Sequence, residues 1–399
     1  MNVLQLCLRS PFPARDGGAI AMDSMARSLH ILGHKVQILA FNTVKHYINP
    51  SSIAEEIRLD FNPKFVELDA SIKPWQALLN LFGKGSYNIK RFDAQEMHVE
   101  VSRTLKDSSI DVVVLESLFM LPYISTIRKN SKARIIYRAH NIEHVIWERL
   151  AAECKNPLKA WYLSFLATRL KTFEQFVLGQ LDGIMAITEQ DKAWFKKSGY
   201  NGSLISIPVG IDVAKYESTE SGIAKNCLFH LGSMDWMPNA EGVQWFMDEV
   251  WPSLESSCPD LELYLAGKGM PNHFYRYASK RVHVTGFVDD SVDFMTSKQI
   301  MIVPLLSGSG MRIKIIEGMA AGRTIVSTSI GAEGVKAVDG SEILIADNAK
   351  AFVEVITKCY NDIRFCKQIG INSRMRAKES YGLDVVGVEI DHFLKSVIV

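Results

Sequence analysis

The stretch "PLLSGSGMRIKIIEGMAAGRTIVSTSIGAEGV", Pro304 to Val335, holds a strand, a turn, a helix and a second strand in direct succession. A buried apolar run ends at Leu306, and small residues follow at Ser307, Gly308, Ser309 and Gly310. A helix is expected from about Met311, and "TIVST" begins the next strand. That order is the repeating unit of a parallel α/β sheet. Glycines in the turn let a ligand approach the backbone, and the helix start offers N–H groups with partial positive charge. The turn reads as a phosphate cradle. Arg312 and Lys314 add two cations beside it, enough to offset much of a diphosphate's charge. Glu317 lies about 7.5 Å of helix rise beyond Arg312, where a carboxylate accepts both hydroxyls of a ribose. Diphosphate and ribose together make a nucleotide. The plainer alternative is a tight strand-to-helix turn with an exposed Lys314/Glu317 pair.

Outward from this stretch the same alternation runs through the chain twice. Strands are expected at "NVLQLCL", "KVQILAF", "DVVVLES", "ARIIYRA", "DGIMAIT" and "LISIP", and again at "CLFHLGS", "LELYLAG", "VHVTGF", "QIMIVPLL", "TIVST" and "EILIA", with helices between. Gly33 stands where a helix C-cap would. The two series meet at "VGIDVAKYESTESGIAKNC", where apolar periodicity lapses as in an interdomain linker. The 399 residues, 47% hydrophobic, suit two cores better than one. The expected organisation is a first Rossmann-like domain over 1–212, a linker over 213–225, a second Rossmann-like domain over 226–383, and a C-terminal helix over 384–399.

Lys and Arg total 45 against 44 Asp and Glu, a net charge of +1, which argues against a general nucleic-acid binder. Residues 1–212 carry 26 basic and 21 acidic side chains (+5), and 213–399 carry 19 and 23 (−4). The six cysteines form no C-x-x-C pair, which fits reduced thiols in a cytoplasmic chain rather than a disulfide framework or zinc ribbon. No secretory signal and no membrane span is read from the sequence. Two basic, aromatic-rich segments, "KPWQALLNLFGKGSYNIKRF" and "KNPLKAWYLSFLATRLKTFEQF", read first as helices with aromatic residues facing the core and Lys and Arg in water. Their alternative is a peripheral contact with an anionic membrane surface at the inner face of the cytoplasmic membrane.

"YRAHNIEHVIWERL", Tyr137 to Leu150, contains the H-x-x-E-H spacing of one class of zinc peptidase at His140, Glu143 and His144. A zinc site needs both histidines on one helical face. Here "ARIIYRA" runs as a strand straight into His140, which places it at a strand's carboxyl end, where parallel sheets bind ligands, with only His144 inside the following helix.

With these pieces in order, the sequence resembles a family 4 glycosyltransferase of the glycosyltransferase-B fold, in which two Rossmann-like domains with parallel sheets face a central cleft. The resemblance spans essentially the full length, through "PFPARDGGAIAMDSMARSLHILGHKVQIL", "AHN", "DGIMAIT", "IPVGID", "HLGSMDWMPNAEGVQWF" and "GSGMRIKIIEGMAAGRTIV". The "GSMDWMPN" and "SGSGMRIK" forms are similar to the bacterial exopolysaccharide-associated branch.

The resemblance implies a role for each site residue. Glu317 matches the second glutamate of the family's E-x7-E motif, which holds the donor ribose; the first falls at Ser309, a departure that leaves the donor sugar to backbone amides, at Gly308 and Gly310 among others, or to another side chain. The Arg and Lys that hold the diphosphate in the family, near the first strand of the second domain, are missing from "GSMDWMPNAEG", and on charge grounds Arg312 and Lys314 are expected to take their place. Gly286, Phe287 and Val288 match the loop flanking the base. Gly17 and Gly18 in "RDGGAI" match the acceptor-side glycine loop, and His140 matches the histidine that contacts the transferred sugar. The implied reaction is sugar transfer from a nucleotide diphosphate-sugar to a saccharide or lipid-linked saccharide hydroxyl with retention, with no metal and no cofactor. The C-terminal helix is expected to cross back to the first domain. Competing expectations are a nucleotide-sugar 2-epimerase, a non-catalytic nucleotide-binding scaffold, and the zinc hydrolase.

Overall fold

The computed structural model describes residues 1–14, 16–83, 85–217, 223–308 and 310–398, and of residues 74, 77, 78 and 82 the backbone only. The chain divides into two compact units, Met1–Gly210 with Val386–Val399, and Ile211–Val385.

The first unit is built on a seven-stranded parallel sheet: β1 (Asn2–Cys7), β2 (Lys35–Thr43), β3 (Lys64–Leu68), β4 (Val112–Glu116), β5 (Arg134–Ala139), β6 (Gly183–Ala186) and β7 (Ser203–Ser206), in the order β3-β2-β1-β4-β5-β6-β7. Residues alternate between two cores, one on each side. Val113 and Leu115 of β4 enter one core, and Val112 and Val114 enter the other. The sequence patterning missed β3. It mixes Lys64 and Glu67 with three apolar residues and is only partly covered, as an edge strand is.

Helix α1 (Gly17–Ile31) starts where the Asp16 carboxylate accepts from the Gly18 and Ala19 N–H groups at 3.1 Å. It ends where Gly33, at φ +79°, donates its N–H to the His30 carbonyl. Further along are α2 (Pro74–Phe82), α3 (Glu143–Ala152) and α4 (Pro157–Leu178). The core-facing reading of the two aromatic segments is corrected here: Trp75, Leu79, Leu158, Trp161 and Phe176 are all exposed.

The second unit carries a six-stranded parallel sheet: β8 (Cys227–Leu231), β9 (Glu262–Ala266), β10 (Val282–Gly286), β11 (Ile300–Val303), β12 (Thr324–Ser327) and β13 (Leu344–Ile345), in the order β10-β9-β8-β11-β12-β13. All six match strands expected from the sequence. Helices α5 (Met237–Trp245) and α6 (Ile313–Ala320) follow β8 and β11. The 213–225 linker reading is corrected at its start: Val213 and Tyr216 are buried in the second unit's own core with Ile211, whose N–H donates to the Tyr381 carbonyl. The last helix, α7 (Leu383–Ile398), places Val386, Ile390, Phe393 and Leu394 in the first unit's core, and Asp391 lies 2.9 Å from His34 Nε2.

Candidate active site

In the second unit the strands β8 and β9 end in glycines packed against one another. Gly232 follows β8, and a Cβ there would lie 2.8 Å from Asn239 Nδ2 and 2.9 Å from Lys314 Nζ. Gly267 follows β9 at φ +150°, where any side chain would collide with the Gly232 carbonyl oxygen. After β11 the chain reaches Gly308 (φ +111°) and Gly310 (φ +83°), and α6 begins at Ile313. The expected start near Met311 is therefore two residues early, because Arg312 holds an extended backbone at the N-cap position. Its buried guanidinium lies 5.0 Å over the Trp236 ring and donates to the Gly310 carbonyl at 2.7 Å. A Cβ on Gly308 would sit 2.7 Å from that guanidinium. Ser309, expected at the donor sugar, and Arg15 of the first glycine loop lie outside the described residues.

Lys314 and Glu317 are partly buried rather than an exposed pair, and each has its own partner. Lys314 Nζ donates to Asn239 Oδ1 at 2.7 Å, and the Tyr216 hydroxyl donates to Glu317 Oε1 at 2.7 Å. Enclosure, reinforced by the Arg312 charge and opposed by Glu317, pushes the Lys314 ammonium down to about 7. Enclosure also raises Glu317, against the Tyr216 hydrogen bond and the Lys314 charge. His230, beneath them on β8, is fully buried and held neutral by that burial and by Lys314. Asn239 and Tyr216 were not nominated from sequence. Asn239 stood inside a quoted motif, whereas Tyr216 lay in the supposed linker. Gly286 (φ +70°) closes β10, and its carbonyl accepts from the Gly267 N–H at 2.7 Å. Phe287 and Val288 line a separate recess of about 670 Å³ with Glu217, Asp290 and Lys298.

In the first unit, Glu116 ends β4 and is fully buried. Its Oε1 accepts from Gln5 Nε2 at 2.8 Å, its Oε2 accepts from His140 Nε2 at 2.6 Å, and Arg138 Nε stands 4.0 Å away. His140 follows β5 directly, and Ser117, the residue after Glu116, is strained at φ +103°. Gln5, Glu116 and Arg138 escaped the sequence reading. The available signal was a carboxylate closing the otherwise apolar "VVVLE". Gly17 and Gly18 open α1, where a Cβ on Gly18 would lie 2.5 Å from Arg9 Nη2. Arg9 pairs with Asp16 and lies 3.0 Å from His46 Nε2.

His140 and His144 face different carboxylates, since His144 Nδ1 meets Glu174 of α4 at 2.6 Å. Glu143 opens α3, where enclosure and the neighbouring Glu174 push its carboxyl up to about 8. Among the described residues no three His, Cys, Asp or Glu side chains are grouped to hold a metal ion. No described helix is long and apolar enough to cross a membrane.

Two parallel α/β units, one with a cation-lined glycine turn at the carboxyl ends of its strands, define a glycosyltransferase-B fold. Solved structures of that fold cover the chain end to end. Alr3699/HepE from Anabaena, in complex with UDP, aligns over 99% of this chain and 100% of its own with a TM-score of 0.68 at 14% identity. Sucrose-phosphate synthase from Thermosynechococcus elongatus aligns over 100% and 99% with a TM-score of 0.74 at 14% identity. Residues 225–362 match the family described as Glycosyl transferases group 1. A 44.6 kDa protein in the cps region of Klebsiella pneumoniae is 23% identical over 93% of this chain and 94% of its own length.

Proposed function

We propose that the chain transfers a sugar from a nucleoside diphosphate-sugar to a saccharide or lipid-linked saccharide hydroxyl, in cell-surface polysaccharide or glycolipid synthesis. The carrying observation is Lys314, an ammonium at the glycine turn whose hydrogen-bond partner is an amide, Asn239, beside a second cation, Arg312. An arriving diphosphate supplies the negative charge this corner lacks. Glu317 keeps one carboxylate oxygen beyond the Tyr216 bond for the ribose hydroxyls. As the glycosidic bond breaks, Arg312, Lys314 and the turn's N–H groups stabilise the charge growing on the leaving diphosphate. The described residues around this corner offer no evident glycosyl nucleophile. Retention, which the family resemblance implies, then has the acceptor oxygen attack on the face the diphosphate leaves, and the reading invokes neither a metal nor an organic cofactor. His140 donates Nε2–H to Glu116 and so keeps Nδ1 for the sugar. UDP is the first nucleotide to test, because the Anabaena neighbour was solved with it.

The test is thermal unfolding against UDP, GDP, ADP, CMP and dTDP. A ligand at about 100 times its Kd adds about 2.7 kcal/mol of stability. One diphosphate should stabilise the protein, and Glu317→Ala should abolish the shift. No shift with any of them overturns the reading, and a shift without transfer or hydrolysis of the matching sugar nucleotide makes the chain a non-catalytic binder.

A further inference from the structure

Helix α4 is apolar on two opposite sides. Leu166, Leu170 and Val177 are buried in the first unit. On the solvent side, Leu158, Trp161, Phe165, Thr168, Thr172 and Phe176 recur at spacings of three and four, one stripe along all 22 residues. Leu158 is 80% exposed, Trp161 60% and Phe176 72%. The two threonines on the stripe turn their hydroxyls into the helix, onto the Ser164 and Thr168 carbonyls at 3.0 Å, so they present methyl groups outward. Trp161 stacks on Phe165 at 6.0 Å, and Arg169 lies 4.2 Å over Phe165. Arg169 also donates to the Asn80 and Gly83 carbonyls at 2.6 and 2.7 Å, which fixes the end of α2 beside the stripe, with Leu79 and Trp75 exposed at 54% and 69%.

A soluble face of this size would ordinarily be polar. Its charge names the occupant. Lys159 and Lys171 are the outward cations of α4, Lys171 standing 4.0 Å from the exposed Glu148 carboxylate, and the helix's one carboxylate, Glu174, is buried against His144. Helix α2 has no acidic residue, and exposed Lys73, paired with Asp69 at 3.3 Å, precedes it. We infer that α4 and the end of α2 form a docking surface for an anionic lipid bilayer, with Leu158, Trp161, Phe176, Leu79 and Trp75 entering the headgroup boundary and the lysines meeting lipid phosphates. This surface lies in a different unit from the proposed donor chemistry and stands independently of it.

Flotation of the full chain with vesicles tests it. Binding to vesicles holding about 30% phosphatidylglycerol should exceed binding to pure phosphatidylcholine by about tenfold or more. Two double variants, Trp161→Ser with Phe176→Ser and Lys159→Glu with Lys171→Glu, should each lose about tenfold of that binding. Stabilisation by UDP, measured on the same variants, reports folding and the donor site separately. Absent vesicle binding, or binding that both double variants retain, overturns the inference. So does a wild-type dimer that fails to bind vesicles and becomes monomeric in Trp161→Ser/Phe176→Ser, which would assign the face to a second copy of the chain.

Discussion

The charged cluster around Glu116 and the one around Lys314 solve opposite problems. Glu116, Arg138 and Gln5 are sealed from water at the end of β4, with Gln5 on one carboxylate oxygen and both the Arg138 guanidinium and the His140 imidazole beside the other. Arg138 depends on that carboxylate, since its Nε and Nη1 find no hydrogen-bond partner in the structure. Around Lys314 the charges are half open and do not balance. Two cations stand near one carboxylate already bonded to Tyr216, and the ammonium is pushed toward neutrality. A charge set balanced from within holds a side chain in place, whereas an unbalanced one stores affinity for a ligand of opposite sign.

Removing Glu116 should break the comparison most forcefully. Glu116→Ala strands the buried Arg138 charge and is expected to cost about 3–5 kcal/mol in urea unfolding. His140→Ala, at the rim of the same cluster, should change stability little while lowering transfer. The second cluster should behave in the reverse way. Lys314→Met is expected to weaken nucleoside diphosphate binding about 10- to 100-fold, the worth of a charged hydrogen bond, without loss of stability.

The pH dependence sharpens the contrast. Lys314 titrates near 7 in the folded chain and near its ordinary 10.4 unfolded, so the unfolded state binds the extra proton between those values. The ligand-free protein should therefore lose stability as pH falls from about 10 toward 7, and Lys314→Met should flatten that slope. Diphosphate binding above pH 7 should take up a proton, measurable by calorimetry in buffers of different ionisation enthalpy. The smallest effect is expected from Tyr216→Phe, which removes one hydrogen bond to Glu317, about 1 kcal/mol, and should appear as a several-fold rise in the donor KM.

Much of this architecture is legible in the chain. Among the described residues, twelve of thirteen strands announce themselves as short, largely apolar runs because most parallel strands are buried on both faces. The edge strand β3 does not, since Lys64 and Glu67 break its apolar run. Arg312, Lys314 and Glu317 could be nominated because they share one turn and one helix. Their partners Asn239 and Tyr216 come from 75 and 101 residues away, and the Gln5–Glu116 pairing spans 111. Such contacts leave no local periodicity. The aromatic stripe on α4 misled for a related reason: an apolar helix face looks the same in sequence whether protein covers it or not.

The glycines at the ends of β8 and β9 bear on how this protein can diversify. Gly267 cannot acquire a side chain while Gly232 keeps its carbonyl where it is, and Gly232 cannot acquire one without displacing Asn239 and Lys314. Backbone therefore blocks substitution at Gly267, whereas at Gly232 only two side-chain ends would have to move. The exposed Phe287, in the loop that the sequence resemblance sets beside the base, can by contrast change one step at a time.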